Sequence, residues 1–344
     1  MKIVYYITPN SSHFSFLYNI YKLLPGPLYC TFGKSNISTY INESYRILET
    51  IEELNEYNPD FVLFTEFYDL KGNWKNIYIG HGYGYDIFKN NCNESILTYD
   101  EYTKNGLINY NYNFNYIFVP SELVKQDINK LCKISLDKIK VIGVPRFDNI
   151  KNVYFVNYNN KKSLVYAPSW RDVSSLNSNI ATENIIKLSD IYNIFVIFHP
   201  NILLGDSFRN IENAKKLIDN KSNKLKIIYR NDYKSIFEGY DNKYIITLHQ
   251  DENDMLQNLI NSTDFLLCDE ASGVSWDALY LQKPYLQLNE SYNIEFNNFL
   301  NTINSTSAKN NFIYCGKEYN LEDIFGKNDK KNSKRCIDIL KELI

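Results

Sequence analysis

The sequence predicts an α/β protein built from two doubly wound domains. Short β-rich apolar runs alternate with longer stretches of helical periodicity, a pattern typical of parallel sheets formed by βαβ units. The chain of 344 residues is long enough for about two domains of roughly 150 residues each. Hydrophobic residues make up 44% of the chain, so both domains can bury an apolar core.

The first series of elements predicts a domain over residues 1–150. Its strands are predicted from apolar runs at Lys2–Ile7, Leu28–Phe32, Phe61–Thr65, Ile77–Gly80, Tyr116–Pro120 and Ile139–Val144. Helices are predicted at Phe14–Leu24 and Tyr40–Tyr57, the second because Ile47, Leu48, Ile51 and Leu54 recur at helical spacing.

The second series predicts a domain over residues 151–330, followed by a C-terminal helix over residues 331–344. Its strands are predicted at Leu164–Ala167, Ile194–Phe198, Leu225–Tyr229, Tyr244–Leu248, Phe265–Cys268 and Tyr285–Leu288. The helices are predicted at Thr182–Tyr192, Phe208–Ile218, Asp254–Asn261, Ser272–Leu281 and Lys334–Leu343. The polar stretch Asp148–Lys162 is predicted to be the linker, and Asn109–Asn115 and Asn301–Asn311 to be loops.

Charge and hydropathy exclude several classes of protein. The 37 Lys and Arg residues are balanced by 40 Asp and Glu residues, giving a net charge of −3, so nucleic acid is not a predicted partner. No apolar run approaches the ~18 residues of a membrane-spanning helix, and the apolar run near the start is too short for a signal peptide. The protein is therefore predicted to be cytoplasmic, and at most peripheral at the inner face of the cell membrane.

Metal and cofactor signatures are missing from the sequence. The six cysteines are dispersed without a C-x-x-C pair, and no cluster of carboxylates has the spacing of metal ligands. We therefore expect reduced thiols, no metal site and no cofactor.

Two histidines follow predicted strands directly. In open parallel sheets, ligands bind beyond the carboxyl ends of the strands. His81 lies between Gly80 and Gly82, where it could take a proton from an acceptor hydroxyl. His199 follows the strand at 194–198 and could donate to a phosphate oxygen or act as a neutral base. Either residue could equally be a turn histidine bonded to a nearby carbonyl, and His249, which also follows a strand, is a weaker candidate.

Anion-binding groups follow other strands. Ser272 and Gly273 open a predicted helix after a buried strand, which favours a diphosphate site at the helix N-terminus, although an ordinary serine cap fits equally well. Arg146 and Arg171 each lie in a proline-containing loop and could grip phosphate with a planar donor fork. Local Arg–Asp salt bridges are the alternative for either loop.

Taken in order, these segments resemble the CDP-glycerol:poly(glycerophosphate) glycerophosphotransferase family of teichoic-acid and capsule synthesis. The matching motifs are His81-Gly82, Gly143-Val144-Pro145-Arg146-Phe147-Asp148, Tyr166-Ala167-Pro168-Ser169-Trp170-Arg171-Asp172, His199-Pro200, Asp264 through Asp269 to Ser272, and Lys283-Pro284. The resemblance implies a GT-B-like fold, in which two Rossmann-type domains face each other across a nucleotide cleft, and a reaction that needs no metal ion. It also implies that the N-terminal domain mainly binds the acceptor and the C-terminal domain binds CDP.

The resemblance further implies roles for individual residues. His81 would be the general base, and His199 would lie near the donor phosphates. Ser272 and Gly273 would hold the pyrophosphate at their helix N-terminus. The residues implied around the nucleotide are Ser169, Arg171 and Asp269.

The sequence departs from the family pattern in three places. Tyr83-Gly84-Tyr85-Asp86 follows the first His-Gly pair where the family usually has Thr-Pro-Leu-Lys, so we expect a different acceptor. Asp269-Glu270-Ala271-Ser272-Gly273 replaces the usual Asp-Tyr-Ser-Ser, with glycine in place of one hydroxyl. The chain also lacks an evident basic membrane-docking helix, and its small C-terminal cluster of Lys330, Lys331, Lys334 and Arg335 is more typical of a solvated helix face.

The predicted reaction moves a phospho-alcohol from a CDP-activated donor, such as CDP-glycerol or CDP-ribitol, to a hydroxyl of a lipid-linked or polysaccharide acceptor, releasing CMP. A GT-B glycosyltransferase that uses a nucleotide-sugar donor in surface-polysaccharide synthesis is the alternative, because the same fold and diphosphate site would serve it. A third hypothesis is a non-catalytic nucleotide- or glycan-binding partner in a capsule assembly complex.

Overall fold

The chain folds into two compact units. The computed structural model describes residues 1–7, 14–30, 45–80, 85–89, 95–99, 101–152, 161–169, 174–198, 211–219, 225–230, 245–248, 255–270, 272–309, 311–314 and 317–344. Residues 1–149 and 311–344 form the first unit, and residues 150–310 form the second. The predicted division is wrong for residues 311–330, which belong to the first unit rather than to the second domain.

The elements are numbered in chain order. The strands are β1 Ile3–Tyr6, β2 Leu28–Tyr29, β3 Ile47–Leu48, β4 Phe61–Phe64, β5 Lys75–Tyr78, β6 Tyr85–Lys89, β7 Ser95–Tyr99, β8 Tyr116–Val119, β9 Ile139–Val141, β10 Ser163–Ala167, β11 Asn193–Ile197, β12 Leu225–Arg230, β13 Ile245–Leu248, β14 Phe265–Asp269, β15 Tyr285–Leu288, β16 Asn311–Tyr314 and β17 Lys317–Asn320. The helices are α1 Ser15–Leu23, α2 Ile51–Tyr57, α3 Glu101–Tyr110, α4 Glu122–Cys132, α5 Asn179–Leu188, α6 Ile211–Asp219, α7 Met255–Ser262, α8 Val274–Tyr280, α9 Phe296–Ser305, α10 Leu321–Phe325 and α11 Asn332–Glu342.

Each unit is built around a parallel sheet. Within the described ranges, the first sheet has the order β3-β2-β1-β4-β5-β8-β9, and the second has the order β13-β12-β11-β10-β14-β15. Both sheets are doubly wound, because the strand order reverses between β1 and β4 in one and between β10 and β14 in the other. Central strands such as β4 and β14 are buried along their whole length, as expected for sheets covered on both faces. The predicted α/β class is confirmed.

The predicted helix at Tyr40–Tyr57 is wrong at Ile47 and Leu48. These two residues form β3, which pairs in parallel with β2. The helix α2 begins only after Thr50, whose hydroxyl caps the N–H of Glu53 while the Glu53 carboxylate accepts the N–H of Thr50. The capping box fixes the start of this helix more firmly than the apolar spacing does.

A third sheet consists of strands that are not among the predicted elements. Its order is β17-β16-β7-β6, and β16 pairs in parallel with β7 through Ile313 and Ile96. This pairing joins residues 311–320 to the first unit. The neighbouring prediction of a loop over Asn301–Asn311 is wrong at its two ends, because α9 extends to Ser305 and β16 begins at Asn311, whereas residues 306–309 form no helix or strand. Likewise, Asn109–Asn115 includes the end of α3 and a 3-10 turn at Asn111–Asn113.

The C-terminal helix α11 is held on the first unit by Asp148. The Asp148 carboxylate accepts the N–H of Ser333 at 2.6 Å and the N–H of Asn332 at 3.1 Å, which are orphan donors in the first turn of α11. Cys336, Ile337 and Leu340 then pack into the core of the first sheet. The Gly143–Asp148 motif therefore has a structural role that the sequence analysis did not identify.

Within the described residues, no helix is long and apolar enough to cross a membrane. No group of three or more His, Cys, Asp or Glu side chains within the described ranges could hold a metal ion. Cys30, Cys132, Cys268 and Cys336 are buried thiols.

Candidate active site

Four of the predicted site residues lie together at the carboxyl edge of the second sheet. Strands β10 and β14 are neighbours in parallel register, with Ala167 opposite Cys268. Ser169 follows β10, Asp269 ends β14, and Ser272 and Gly273 lead from β14 into α8. Because the strand order reverses between β10 and β14, this edge is where an open α/β sheet forms a ligand crevice.

The side chain of Asp269 is buried and links two chain segments. It is 0% exposed, and its Oδ2 atom accepts the N–H of Ser169 at 2.6 Å. Its Oδ1 atom accepts the N–H of Ser175 at 3.1 Å and also the Ser175 hydroxyl. The Ser175 hydroxyl in turn lies 2.7 Å from the hydroxyl of Tyr166 on β10. Since both carboxylate oxygens bind protein groups, Asp269 positions the loop at Ser169 rather than presenting a free oxygen.

Opposing effects act on the pKa of Asp269. Burial raises the pKa of its carboxyl group, and the hydrogen bonds from Ser175, Ser174 and Ser169 act in the opposite direction. The net shift is upward. Burial also raises the pKa of Tyr166 well above its ordinary value, with the Asp269 charge as the second cause. The Tyr166 hydroxyl therefore stays protonated and serves as part of a buried hydrogen-bond chain.

The turn at Ser272 and Gly273 connects β14 to α8. The Ser272 N–H donates to the Asp269 carbonyl at 3.2 Å, and the Ser272 carbonyl accepts the N–H and the hydroxyl of Ser275 at 3.1 and 2.7 Å. The Ser272 hydroxyl accepts the N–H of Val274 at 3.4 Å, whereas the N-cap residue of α8 is Gly273, and this cap has no side-chain hydrogen bond. At Gly273, a Cβ atom would meet no heavy atom within 4 Å, so the backbone here is open to close approach.

A hydrogen bond between two buried polar side chains connects α7 to α8, the helix that follows this turn. The Gln257 side-chain amide on α7 donates to the Asp277 carboxylate on α8 at 2.7 Å, and both side chains are buried. Neither residue was selected by the sequence analysis, because a single glutamine and a single aspartate inside helical patterns carry no motif. Ser174 and Ser175 were missed for the same reason, as they read as ordinary loop polar residues.

Arg146 belongs to the first unit. It lies in a 3-10 turn at Pro145–Phe147, and the Asn19 side-chain amide holds this turn by donating to the carbonyls of Pro145 and Arg146 at 2.9 and 3.2 Å. The Arg146 guanidinium lies 4.5 Å from the centre of the Phe16 ring, within the range of a cation–π contact. The structure therefore assigns Arg146 a defined orientation in that unit.

Other residues of the matching motifs support the sheet from its opposite edge. Asp264 precedes β14, and its carboxylate accepts the N–H and hydroxyl of Ser163 at 2.8 and 3.2 Å. The Lys283 ammonium donates to the Thr263 carbonyl at 3.1 Å. These residues lie at the amino ends of the strands, so their contacts fix the sheet and not the ligand edge.

His81, Arg171 and His199 lie outside the described residues, as does His249. The chain reaches His81 from the carboxyl end of β5 through Gly80, whose φ of +78° is in the left-handed region that favours glycine. The chain reaches His199 from the carboxyl end of β11 through the buried Phe198. Both approaches run along carboxyl edges of parallel sheets.

Comparison with known proteins decides the family. The sequence model for CDP-glycerol:poly(glycerophosphate) glycerophosphotransferases matches residues 62–294, more than half of the chain. The protein belongs to this family. It is accordingly a glycerophosphotransferase-type enzyme that uses a CDP-glycerol donor and a polymer acceptor. Among curated proteins, none matches this sequence.

Solved structures of the wall teichoic acid polymerase TagF share the fold. A variant of TagF matches with a TM-score of 0.58 at 16% identity, over 99% of this chain and 88% of that chain. TagF itself matches with a TM-score of 0.55 at 15% identity and the same coverage. At this identity, the likeness shows the fold alone, which is GT-B-like as the family resemblance implied.

Proposed function

We propose that this glycerophosphotransferase binds the CDP portion of its donor at the carboxyl edge of the second sheet, and that His81 activates the acceptor hydroxyl. The observation that supports the donor site is the pair of hydrogen bonds that the Asp269 carboxylate accepts from the backbone N–H groups of Ser169 and Ser175. They fix Ser169 and Ser175 to the last residue of β14, the strand that leads to the turn at Gly273. A diphosphate at this turn would lie at the positive end of the α8 dipole.

In the proposed reaction, the acceptor oxygen attacks the β-phosphorus of the CDP-alcohol. A new oxygen–phosphorus bond forms, the bond from the β-phosphorus to the bridging oxygen breaks, and CMP leaves with that electron pair. His81 takes the acceptor proton. His199, Arg171 and Arg146 are the proposed donors to the phosphate oxygens, because preorganised donors stabilise the charge of a transferring phosphoryl group. Ser272 and Gly273 hold the diphosphate, and Asp269 keeps Ser169 in place.

The test combines nucleotide binding with turnover. We expect CMP and CDP, and not UDP or GDP, to raise the melting temperature of the protein, because saturating ligand stabilises the folded state. CMP release from CDP-glycerol or CDP-ribitol is then measured with and without acceptor. His81→Ala is expected to lower kcat ~100- to 10,000-fold while keeping the CMP-induced stabilisation.

His249→Ala is the matched control, because it also removes a histidine that follows a strand, here β13. We expect it to keep the wild-type turnover. Near-full turnover of His81→Ala would overturn the assignment of the base, and stabilisation by UDP or GDP alone would overturn the donor site.

The acceptor is proposed to be lipid-linked, and the enzyme to work as a peripheral protein at the inner face of the membrane. The C-terminal basic cluster is a weak candidate for contact with lipid, because Lys334 pairs with Asp338 at 2.7 Å and Arg335 with Asp329 at 3.2 Å.

The region of α3 and α4 has better properties for contact with anionic lipid. The two helices meet where the Cys132 thiol donates to the Lys104 carbonyl at 3.9 Å. The large exposed apolar side chains on these helices and in the turns that follow them are Ile108, Tyr110, Tyr112, Leu131 and Leu136, of which Tyr112 is 65% exposed. Exposed Lys130 and Lys133 lie beside them. This combination fits the boundary between lipid headgroups and acyl chains.

Flotation with vesicles tests this part of the proposal. The wild-type protein is expected to float with vesicles containing phosphatidylglycerol and not with pure phosphatidylcholine. Lys130→Glu with Lys133→Glu should abolish flotation, whereas Lys341→Glu, a matched change on α11, should not. Equal flotation of all three proteins would contradict the assigned region.

A further inference from the structure

A groove of about 590 Å³ lies within the first unit, apart from the residues assigned to the donor. Pro120 and Ser121, which follow β8, and Gly143, which follows β9, line one side of it. Tyr319 on β17 and Gly326 after α10 line the other side. The groove therefore opens at the carboxyl ends of two parallel strands, the usual place for a ligand in an open sheet.

Two glycines in the left-handed region bring the C-terminal segment against this edge. Gly326 has a φ of +73°, and a Cβ atom there would overlap the Pro120 carbonyl oxygen. Gly143 has a φ of +82°, and a Cβ atom there would overlap the Asn332 side chain. These two close contacts build the groove into the fold of the first unit. One wall comes from residues 116–143 and the other from residues 317–335.

The groove surface is mainly apolar, and its charged side chains carry a net negative charge. The charged residues around the groove are Glu122, Glu318, Glu322, Asp323, Lys327 and Arg335. Arg335 donates to the Asp329 carboxylate and to the Ile142 carbonyl, and Glu122 lies 3.8 Å from the Lys125 ammonium, so both charges are matched within the protein. Three carboxylates and one lysine remain. The excess of carboxylates disfavours a phosphate-bearing polyanion in this groove.

The same lining favours a neutral ligand rich in hydroxyl groups. Ionised carboxylates accept hydrogen bonds and donate none, so they match the O–H groups of a sugar ring or a polyol. Tyr319 is half-buried at the groove and adds an aromatic side chain, whose ring faces suit apolar C–H surfaces.

The groove lies on the same sheet edge as the strand that leads to His81. Strand β8 pairs directly with β5, through Tyr116 and Ile77, and His81 follows β5 after two residues. Neighbouring strands are ~4.8 Å apart, so a ligand in the groove begins within one or two strand spacings of the end of β5.

We infer that this groove binds an uncharged polyhydroxyl portion of the acceptor, a sugar ring or a polyol, and not its phosphate groups. The inference rests on the proposed function for the idea that the ligand belongs to the acceptor. The binding chemistry itself rests on the groove alone.

The first experiment measures binding without catalysis. The probes are N,N′-diacetylchitobiose, ribitol and glycerol 3-phosphate, each titrated against the full chain and followed by ligand-observed NMR. N,N′-Diacetylchitobiose or ribitol is expected to bind. Glu322→Gln and Tyr319→Ala are each expected to weaken that binding ~3- to 10-fold. Binding of the sugar alone or of the polyol alone would identify which source of hydroxyls the groove accepts.

Glu342→Gln is the matched control, since Glu342 is an exposed glutamate at the end of α11 and does not line the groove. It should bind the probes as the wild type does. The inference is overturned if neither neutral probe binds, if the groove variants bind them unchanged, or if glycerol 3-phosphate binds more tightly and is lost in the variants.

A kinetic measurement separates this inference from the proposed function. The groove variants should raise the KM for acceptor and leave kcat and the CMP-induced stabilisation unchanged. If the protein binds neutral probes in the groove but no cytidine nucleotide, the donor proposal fails and the groove assignment stands. If CMP binds but no neutral probe does, the groove assignment fails alone.

Discussion

The Asp269 carboxylate and the backbone N–H of Ser169 are joined by a 2.6 Å hydrogen bond, although 100 residues separate them in the chain. The bond connects the carboxyl ends of two neighbouring strands, β10 and β14. Because it is buried and charged, it is stronger than an ordinary surface contact. The position of Ser169, two residues after β10, therefore depends on the last residue of β14.

Replacement of Asp269 by Asn is the direct test of this dependence. The side-chain amide would turn an N–H group toward one of the backbone donors at Ser169 and Ser175, leaving a buried donor unmatched. We expect Asp269→Asn to lower the free energy of unfolding by about 2–4 kcal/mol and to abolish stabilisation by CMP. Urea unfolding and thermal shift measure the two effects.

The matched control is Glu270→Gln, which changes the adjacent, partly exposed carboxylate and its 3.1 Å contact with Asn289. A loss of less than about 1 kcal/mol is expected there. If Asp269→Asn were as stable as Glu270→Gln, the Asp269 hydrogen bonds would not hold the edge together.

The raised pKa of Asp269 also gives a pH dependence with a defined sign. A raised pKa means that the folded state binds the proton more tightly than the unfolded state. The stabilisation that comes from this tighter proton binding is therefore fully present below the pKa of the unfolded state. It is lost as the pH rises through the pKa of the folded state. The advantage of wild type over Asp269→Asn should be larger at pH 4 than at pH 7, as measured by urea unfolding. An advantage that grows with pH would reverse the assigned sign.

The sequence was sufficient to predict the family and the strands of the two parallel sheets except β3, because both depend on local patterns. The runs predicted as strands at Phe61–Thr65 and Phe265–Cys268 are short and bounded, and they became the central strands β4 and β14. The motif around Asp269 and Ser272 correctly pointed to the carboxyl edge of the second sheet. Its spacing could not show that the Asp269 oxygens are used by Ser169 and Ser175, because that contact spans about a hundred residues.

Long-range pairing explains the errors in the fold prediction. The pairing of β16 with β7 joins Ile313 to Ile96, and nothing in either segment specifies the other. The β3 strand is only two residues long, so its apolar pair was absorbed into a helical pattern. The role of Asp148 was also hidden, because its partners Asn332 and Ser333 lie near the other end of the chain.

Asp148 is expected to control the docking of α11. Asp148→Ala removes the acceptor of two N–H groups at the start of the helix and a negative charge at its positive end. We expect the free energy of unfolding to fall by about 1–2 kcal/mol and amide hydrogen exchange in α11 to accelerate. Asp338→Ala, which removes only the surface pair with Lys334, should change stability by less than about 1 kcal/mol. Unchanged exchange in α11 of Asp148→Ala would contradict its role as the anchor.

The Cys132 thiol is expected to be inert in the folded protein. Burial raises its pKa to about 11, and the nearby Lys104 charge only partly offsets this. At pH 8, about one thiol in a thousand would be ionised, so iodoacetamide should leave Cys132 unmodified, with the rate rising about tenfold per pH unit toward pH 11. Alkylation is followed by mass spectrometry of the Cys132 peptide, with the urea-unfolded chain as the control. Equal rates in the folded and unfolded chains at pH 8 would contradict the raised pKa.

Two glycine-to-alanine changes distinguish a glycine needed for ligand approach from one needed for the fold. At Gly273, φ is −57° and a Cβ atom would meet nothing, so Gly273→Ala should leave the free energy of unfolding within about 1 kcal/mol of wild type. If a diphosphate lies against this turn, the added methyl group must displace it, so CMP and CDP-glycerol binding should weaken at least about tenfold. At Gly143, φ is +82° and the Cβ atom would overlap Asn332, so Gly143→Ala should lose more than about 1 kcal/mol. Urea unfolding and nucleotide thermal shifts of both variants give the comparison, and wild-type nucleotide affinity in Gly273→Ala would remove the turn from the donor site.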